Sequence, residues 1–157
     1  MIRILLIMIF VLPSLMVHAE NKPIQVALFT PLQIFSEDVS ITGVRWNVLY
    51  GKNSSVTGLD FGLVNRTTEK MSVGVQFGIM GFADRGWIGL QSNFVNVTRN
   101  EFKGVQFGFL NYAEDANGLM IGIINYARRL YGIQIGLFNL IEAGGVAPVL
   151  PIVNWAF

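Results

Sequence analysis

The sequence predicts an all-β fold, an antiparallel meander closed as a small β-barrel of about eight strands. Three observations favour it. A short motif recurs about every 15 residues, apolar and polar residues alternate with period two within each copy, and charged residues concentrate between copies. Side chains on a strand point alternately to opposite faces, so each ~15-residue unit is predicted to form one strand with an apolar face and a small, polar face.

The repeat is clearest in Gly74-Val75-Gln76-Phe77-Gly78, where a glycine lies two residues on either side of the central residue. Successive central positions are separated by 15, 16, 15, 15, 14 and 14 residues. They are occupied by Arg45, Asp60, Gln76, Gln91, Gln106, Met120 and Gln134. The motif reads almost identically in both directions, which suits strands that alternate in direction. The midpoints between the earlier copies fall in polar connectors, where hairpin loops are expected.

Three segments of different character make up the chain. Residues 1–19 are predicted to be a secretory signal peptide, with Arg3 as its positive start, a following apolar run and Val17-His18-Ala19 before the cleavage site. The apolar run is too short to span a bilayer comfortably, which disfavours a membrane anchor. Residues 20–38 are predicted to be an irregular N-terminal lead segment, and residues 39–157 the repeat β-domain.

The composition of the mature chain excludes several kinds of function. It contains no cysteine and no histidine, because the single histidine is His18. Loss of Arg3 reduces the 11 basic residues to 10, which equals the 10 acidic residues. Disulfides, thiol nucleophiles, histidine bases and the usual metal-ligand sets are therefore excluded, and no basic patch is available for nucleic acid. The chain is predicted to be non-enzymatic, with no catalytic residue, no metal, no other cofactor and no nucleic-acid partner.

Two folds compete for the repeat. A strand of ~12 residues tilted by ~45° would cross ~28 Å, close to the hydrocarbon thickness of a bilayer. The apolar face would then contact lipid and the polar face would line a narrow lumen, as in transmembrane β-barrels. The alternative is a β-solenoid with the apolar face inside and the glutamines and glycines outside, since similar repeats of constant phase are typical of solenoids. That arrangement would put Val64 and Met80 on its wet face, which favours the barrel.

A structural belt of polar side chains is predicted to face the lumen of the barrel. Its members are Arg45, Asp60, Gln76, Gln91, Gln106 and Gln134. Within it, Arg45 and Asp60 are predicted to form an ion pair that fixes the register, because each buried charge needs the other to offset its desolvation. Eight strands leave an interior that side chains just fill, so an open channel is not expected.

Asparagine recurs five residues after most motif centres. The positions are Asn65, Asn96, Asn111, Asn125 and Asn139. In a barrel these residues would mark strand ends near the membrane interface, whereas in a solenoid they would stack as a ladder. Their positions therefore discriminate between the two folds.

The C-terminal strand alternates apolar residues on one face and ends on an aromatic residue. Val153, Trp155 and Phe157 form this pattern. It resembles the terminal strand of bacterial outer-membrane barrels, whose closing phenylalanine is read by the assembly machinery. The resemblance implies that these three residues are an assembly signal, and that membrane lipid and the assembly machinery are partners. No small-molecule ligand is indicated.

Nearly all of residues 24–157 is also similar to an uncharacterised bacterial family of surface-exposed repeat proteins. The segments that carry the resemblance are Pro31-Leu32-Gln33, Gly43-Val44-Arg45, Leu49-Tyr50-Gly51-Lys52-Asn53, Gly58-Leu59-Asp60-Phe61-Gly62-Leu63-Val64-Asn65, the later Gly-x-Gln-x-Gly-x-x-Asn copies and Leu150-Pro151-Ile152-Val153-Asn154. The copies centred on Gln91 and Met120 depart from the pattern. The resemblance implies exposure at the cell envelope and implies no reaction.

The predicted function is that of a non-enzymatic bacterial cell-envelope protein, exported by its signal peptide to the outer membrane or cell surface. The barrel interpretation makes it a small outer-membrane protein with a structural or surface role. The solenoid interpretation makes it a secreted or surface-attached binding or adhesion module.

Overall fold

A computed structural model describes residues 21–157, and within them it shows one sheet of nine strands. The predicted signal peptide, residues 1–19, lies outside the described residues. The strands are β1 (Lys22–Phe29), β2 (Leu32–Gln33), β3 (Ile41–Asn53), β4 (Val56–Thr67), β5 (Ser72–Ala83), β6 (Trp87–Phe107), β7 (Leu110–Ile121), β8 (Ile124–Ala143) and β9 (Val149–Ala156). Their order in the sheet is β2-β1-β3-β4-β5-β6-β7-β8-β9.

The consecutive strands from β3 to β8 run parallel, which contradicts the predicted antiparallel meander. Gly43 pairs with Gly58, and Gly58 with Gly74, so equivalent residues of successive repeats stack directly. The two ends of the sheet, β2 and β9, are not paired with each other, so the sheet does not close. The fold is a mostly parallel β-solenoid of about eight turns, and the predicted outer-membrane β-barrel is wrong.

The near-symmetric motif does not produce a symmetric strand, because its two glycines have different roles. Gly74 adopts a φ of +139°, and a Cβ there would lie 1.9 Å from the carbonyl oxygen of Gly58 in the preceding turn. Gly78 is not among the residues of positive φ, yet a Cβ there would lie 2.1 Å from the Gly62 carbonyl oxygen. Both glycines let adjacent turns approach closely, and only the first needs the unusual backbone conformation.

The interior of the solenoid is largely polar, which corrects the predicted solenoid alternative as well. Gln76 and Gln91 are 0% exposed, whereas Phe77 is 40% and Phe107 55% exposed. The solenoid alternative predicted the glutamines outside and the apolar face inside. The structure shows the reverse, which is the sidedness predicted for the barrel. Buried apolar residues fill the rest of the interior in one larger and one smaller cluster. The larger comprises Ala83, Trp87, Phe102, Ala113, Ala116, Met120, Ala127, Leu130, Ile141 and Ala156, and the smaller Val39, Ile41 and Val56.

Both ends of the solenoid are formed by strands that differ from the repeat. Residues 22–29, within the predicted lead segment, form β1, which pairs parallel to β3. At the other end β9 pairs antiparallel to β8 and carries Val153 and Trp155 on its exposed face, followed by Phe157. The assembly-signal interpretation of these three residues depended on a closing barrel strand, and β9 instead ends a solenoid.

Candidate functional site

The six polar residues predicted to line a lumen lie instead in one buried column along the solenoid. Parallel pairing and side-chain hydrogen bonds place one residue of each successive turn in this column. Its members, here called the axial column, are Gln25, Arg45, Asp60, Gln76, Gln91, Gln106, Met120, Gln134 and Asn154. Every member is at most 1% exposed, so the column is a structural interior and is sealed from solvent.

Arg45 and Asp60 form a two-bonded ion pair in this column. Arg45 Nε donates to Asp60 Oδ1 at 2.7 Å and Arg45 Nη2 donates to Asp60 Oδ2 at 2.8 Å. A third donor, Arg45 Nη1, binds the carbonyl oxygen of Arg66 at 2.9 Å. Both side chains are 0% exposed, so these short parallel bonds must offset the desolvation of two charges. The geometry matches a register-fixing pair.

The glutamines that follow form a hydrogen-bonded chain with a fixed direction. Gln76 Nε2 donates to Asp60 Oδ2 at 2.8 Å, Gln91 Nε2 to Gln76 Oε1 at 3.1 Å, and Gln106 Nε2 to Gln91 Oε1 at 3.0 Å. An ionised carboxylate only accepts hydrogen bonds, so Asp60 sets the orientation of the first amide. Each later amide then takes the same orientation, and the ion pair anchors the whole chain.

Met120 interrupts this chain, because a thioether cannot donate a hydrogen bond. The Oε1 atoms of Gln106 and Gln134, on either side of it, have no hydrogen-bond partner. Gln134 Nε2 lies 3.6 Å from Met120 Sδ, which is only a weak acceptor. The Met120 turn therefore lacks a donor for Gln106 Oε1, whereas Gln134 presents its nitrogen to Met120 and its unpaired Oε1 is a separate defect of the axial column.

A Met120→Gln variant is expected to be more stable than the natural chain by about 0.5–2 kcal/mol, because the new amide can donate to Gln106 Oε1 and restore the chain. Chemical denaturation of both proteins measures the difference. The matched control is Met80→Gln, at an exposed position, which should leave the stability nearly unchanged. A loss of stability in Met120→Gln alone would contradict the proposed role of the amide chain.

A second buried column consists of asparagines, stacked as expected of a solenoid. Asn96 Nδ2 donates to Asn111 Oδ1, Asn111 Nδ2 to Asn125 Oδ1 and Asn125 Nδ2 to Asn139 Oδ1, each at 2.8 Å. The same amides also bind backbone carbonyls, for example Asn111 Nδ2 with the Ile121 oxygen at 2.9 Å. The ladder thus satisfies backbone groups where each turn bends, which is a structural role.

In two turns of the solenoid, glycine occupies the position that asparagine has in the ladder. An asparagine side chain from a neighbouring column then occupies the space beside that glycine. At Gly51 a Cβ would lie 1.9 Å from the Asn47 side chain, which donates to Asn65 Oδ1 at 2.8 Å. At Gly81 a Cβ would lie 2.4 Å from the amide nitrogen of Asn93. That amide donates to Asn96 Oδ1 at 2.7 Å. Each of these asparagines thus bonds to one residue of the ladder, Asn47 to Asn65 and Asn93 to Asn96.

The outer surface of the longer segment in each turn is apolar. Two columns of outward residues run side by side along the solenoid, and together we call them the broad face. The first contains Ile24, Val44, Leu59, Val75, Leu90, Val105, Leu119, Ile133 and Trp155; the second contains Val26, Trp46, Phe61, Phe77, Ser92, Phe107, Ile121, Ile135 and Val153. Neither column contains a charged residue.

The corner that follows the broad face is also apolar in every complete turn. These corner residues, here called the ridge, are Val48, Leu49, Leu63, Val64, Ile79, Met80, Phe94, Val95, Phe109, Leu110, Ile123, Ile124, Leu137 and Phe138. Phe94 and Leu137 are each 57% exposed. The Phe94 and Phe109 rings stack with centroids 4.9 Å apart, and on the broad face Phe61 and Phe77 stack at 5.7 Å. Stacking of equivalent residues makes the exposed apolar surface regular and rigid.

Charged residues gather where each turn connects to the next, at the other end of the cross-section. This charged edge comprises Arg66, Asp84, Arg85, Arg99, Glu101, Glu114, Asp115, Arg128, Arg129 and Glu142. Asp84 bridges two turns, with Arg66 Nη2 at 2.8 Å and Arg99 Nη1 at 2.9 Å from its carboxylate oxygens. A hydrogen bond from Arg129 lowers the pKa of Asp115, and one from Tyr126 lowers the pKa of Glu142. These carboxylates therefore remain charged at neutral pH.

The described residues offer little for metal chemistry. Within residues 21–157, no group of three or more histidine, cysteine, aspartate or glutamate side chains could hold a metal ion. Asp60 is enclosed, and both of its oxygens already accept hydrogen bonds.

Residues 21–157 contain no helix with the length and apolar character needed to cross a bilayer.

Comparisons with known proteins identified no match, so the site is interpreted from its geometry. A scan against protein-family models found no match, and neither did searches of curated proteins and of solved structures. The fold and surface define a class of molecule, a β-solenoid with a polar core and an apolar exterior. The resemblance to surface-exposed repeat proteins therefore stays a prediction.

Sequence reasoning placed six members of the axial column, from Arg45 to Gln134, on an inward polar face and the apolar repeat residues on an outward face, but it did so in a barrel. It missed Gln25 and Asn154, which extend the column at its two ends. It also missed the compensation by Asn47 and Asn93, although both replace the second glycine of the motif. The ridge residues were visible in the sequence as apolar pairs. The second member of each pair argues against a simple solenoid, because alternation does not predict the corner that leaves both members at least partly exposed.

Proposed function

We propose that this chain is an exported, non-enzymatic β-solenoid of the bacterial cell envelope that binds the surface of a lipid membrane. The observation that carries the proposal is the continuous apolar exterior formed by the broad face and the ridge. Residues such as Trp46, Phe107 and Leu137 are 63%, 55% and 57% exposed on it. The glutamine and asparagine side chains lie in the interior, in the axial column and the asparagine ladder, so they do not cover this apolar surface.

The size of this surface supports a binding role. Nine stacked segments span about 38 Å along the solenoid at about 4.8 Å per strand, and a segment such as residues 59–64 is about 16 Å wide. The projected area of about 600 Å² reaches the upper limit of the apolar patches that monomeric soluble proteins expose. Larger or comparable patches on folded proteins mark protein, membrane or ligand contacts.

Lipid fits this surface better than a second copy of the chain. The apolar surface is not confined to one plane, because it continues from the broad face around the ridge. A second flat face packed on the broad face would leave residues such as Phe94 and Phe138 in water, whereas lipid chains can follow the corner. The hydrated charged edge lies at the other end of the cross-section, as expected of a molecule at a boundary between lipid and water.

Two further features fit the proposal. Residues 1–19 have the pattern of a signal peptide, which would bring the mature chain to the envelope. The buried ion pair and the buried amides are engaged in hydrogen bonds with one another, which supports a structural rather than a catalytic role for them. This interpretation retains a binding module and membrane lipid as its partner, without a barrel.

Co-flotation with vesicles of phosphatidylethanolamine and phosphatidylglycerol tests the proposal. The mature chain, residues 20–157, is expected to float with the vesicles. A Trp46→Gln/Phe77→Gln/Phe107→Gln variant should partition more than tenfold less, because full burial of each aromatic side chain contributes about 1.5–3 kcal/mol and about 1.4 kcal/mol is a factor of ten.

The control is an Arg85→Gln/Arg99→Gln/Arg128→Gln variant of the charged edge, which should float like the natural chain. Binding should also be insensitive to salt, since the 10 basic and 10 acidic residues after Arg3 balance. Equal flotation of the aromatic variant would contradict the proposal. So would a lipid-free dimer that fails to float and becomes monomeric in the aromatic variant, because the broad face would then bind a second copy.

A further inference from the structure

We infer that the solenoid lies flat on the membrane, with its long axis parallel to the bilayer plane, its broad face and ridge in the lipid and its charged edge in water. This inference rests on the proposed lipid binding and specifies its geometry. It concerns which surface enters the hydrocarbon and how the nine strands are oriented relative to it.

The direction of the boundary between the apolar surface and the charged edge supports the flat orientation. Apolar residues of the broad face occur in β1 and in every strand from β3 to β9, from Ile24 at one end to Trp155 at the other. Charged residues at the connectors recur from Arg66 in β4 to Glu142 in β8. Both surfaces therefore extend along the axis, and the boundary between them is parallel to it. A planar lipid surface can follow this boundary only if the axis lies in the membrane plane.

An upright orientation would place the charged edge in hydrocarbon. The ion pairs of Asp84 with Arg66 and Arg99 and of Asp115 with Arg129 lie at successive levels along the axis. A solenoid that entered the bilayer end-on would have to carry several of these levels into the lipid. Charged side chains at the bilayer centre are strongly disfavoured, and nothing in these exposed pairs shields them from lipid.

The natural tryptophans are placed to report this orientation. Trp46 and Trp155 lie on the broad face in adjacent columns, and they are 63% and 43% exposed. Seven strand spacings separate them, about 34 Å at about 4.8 Å per spacing. That separation is close to the ~30 Å hydrocarbon thickness of a bilayer. A flat solenoid puts both indoles in the outer leaflet at the same depth, whereas an upright solenoid places only one of them in the outer leaflet and the other near the opposite surface or in water. Trp87 is 0% exposed and supplies an internal background.

Depth-dependent quenching of tryptophan fluorescence tests the inference. Trp155→Phe retains Trp46, Trp46→Phe retains Trp155, and the double variant retains only Trp87. Each mature protein is bound to phosphatidylethanolamine and phosphatidylglycerol vesicles whose outer leaflet alone carries a bromine quencher, at a shallow or a deep acyl position. After subtraction of the Trp87 signal, Trp46 and Trp155 should show the same ratio of shallow to deep quenching, and Trp87 should be quenched little.

The outcomes separate this inference from the proposed function. If the proteins float with the vesicles and one indole is quenched strongly while the other stays unquenched, the flat orientation is overturned and lipid binding stands. If both indoles are equally quenched, the flat orientation is supported. If floated protein shows quenching of neither Trp46 nor Trp155, the broad face is not the inserted surface and the inference is overturned. Failure to float overturns the proposed function itself.

Discussion

An Asp60→Ala variant is expected to lose about 3–5 kcal/mol of unfolding free energy, because removal of one partner leaves the other charge buried and unpaired. Arg45 is 0% exposed, and its Nε and Nη2 atoms both donate to the Asp60 carboxylate, at 2.7 and 2.8 Å. The same change removes the acceptor of Gln76 Nε2 and so the anchor of the amide chain. Denaturant unfolding followed by circular dichroism measures the loss.

Two further variants separate this effect from a general sensitivity to charge removal. Asp115→Ala breaks an exposed pair with Arg129 and should cost far less, because exposed pairs contribute little. Arg45→Gln combined with Asp60→Gln removes both charges and extends the amide column toward the N-terminus. It should recover most of the stability lost in Asp60→Ala. If Asp60→Ala were no more harmful than Asp115→Ala, the buried pair would not be the anchor of the column.

The second large effect is expected at a glycine of the repeat. A Gly74→Ala variant should lose about 3 kcal/mol or more, because it combines a strained backbone conformation with a steric overlap. The φ angle is +139°, and the new Cβ would lie 1.9 Å from the Gly58 carbonyl oxygen. That oxygen belongs to the backbone of the preceding turn and cannot move without disturbing the parallel ladder. Thermal unfolding of the variant measures the effect.

Gly144→Ala is the matched control, because it measures the cost of the backbone conformation without the steric overlap. It has a φ of +88°, and a Cβ there would have no atom within 4 Å. Gly144→Ala should therefore cost only the conformational strain, roughly 1–2 kcal/mol. If the two variants lost equal stability, the close approach of adjacent turns would not be what requires glycine at Gly74.

The period-two alternation predicted which residues share a face, but it could not predict which face lies inside. Gln76 and Phe77 do point in opposite directions, yet either set could form the interior. The usual preference for apolar cores favours Phe77 inside a solenoid, and the structure departs from it because stacked amides satisfy each other. Gln91 bonds to Gln76 in the preceding turn, and this self-pairing is available only when identical residues of successive turns stack.

The glycine motif alone could not predict whether successive strands run parallel or antiparallel. A parallel solenoid and an antiparallel meander both place Arg45 beside Asp60, so that prediction could not distinguish them. The distinguishing signal was the asparagine at a fixed offset from each centre. Asn111 and Asn125 can stack only if their strands run the same way, because antiparallel strands would put them at opposite ends. The sequence contained this signal, and the symmetry of the glycine motif outweighed it.

The polar column lies inside the solenoid and the apolar columns lie outside, and cysteine accessibility tests this arrangement most directly. The natural chain has no cysteine, so each introduced thiol is unique. Met120 is 0% and Phe107 55% exposed, and both lie in adjacent turns. In the folded protein Phe107→Cys should react readily with a maleimide, and Met120→Cys should react only after unfolding. Rapid reaction at position 120 with protection at position 107 would contradict this arrangement.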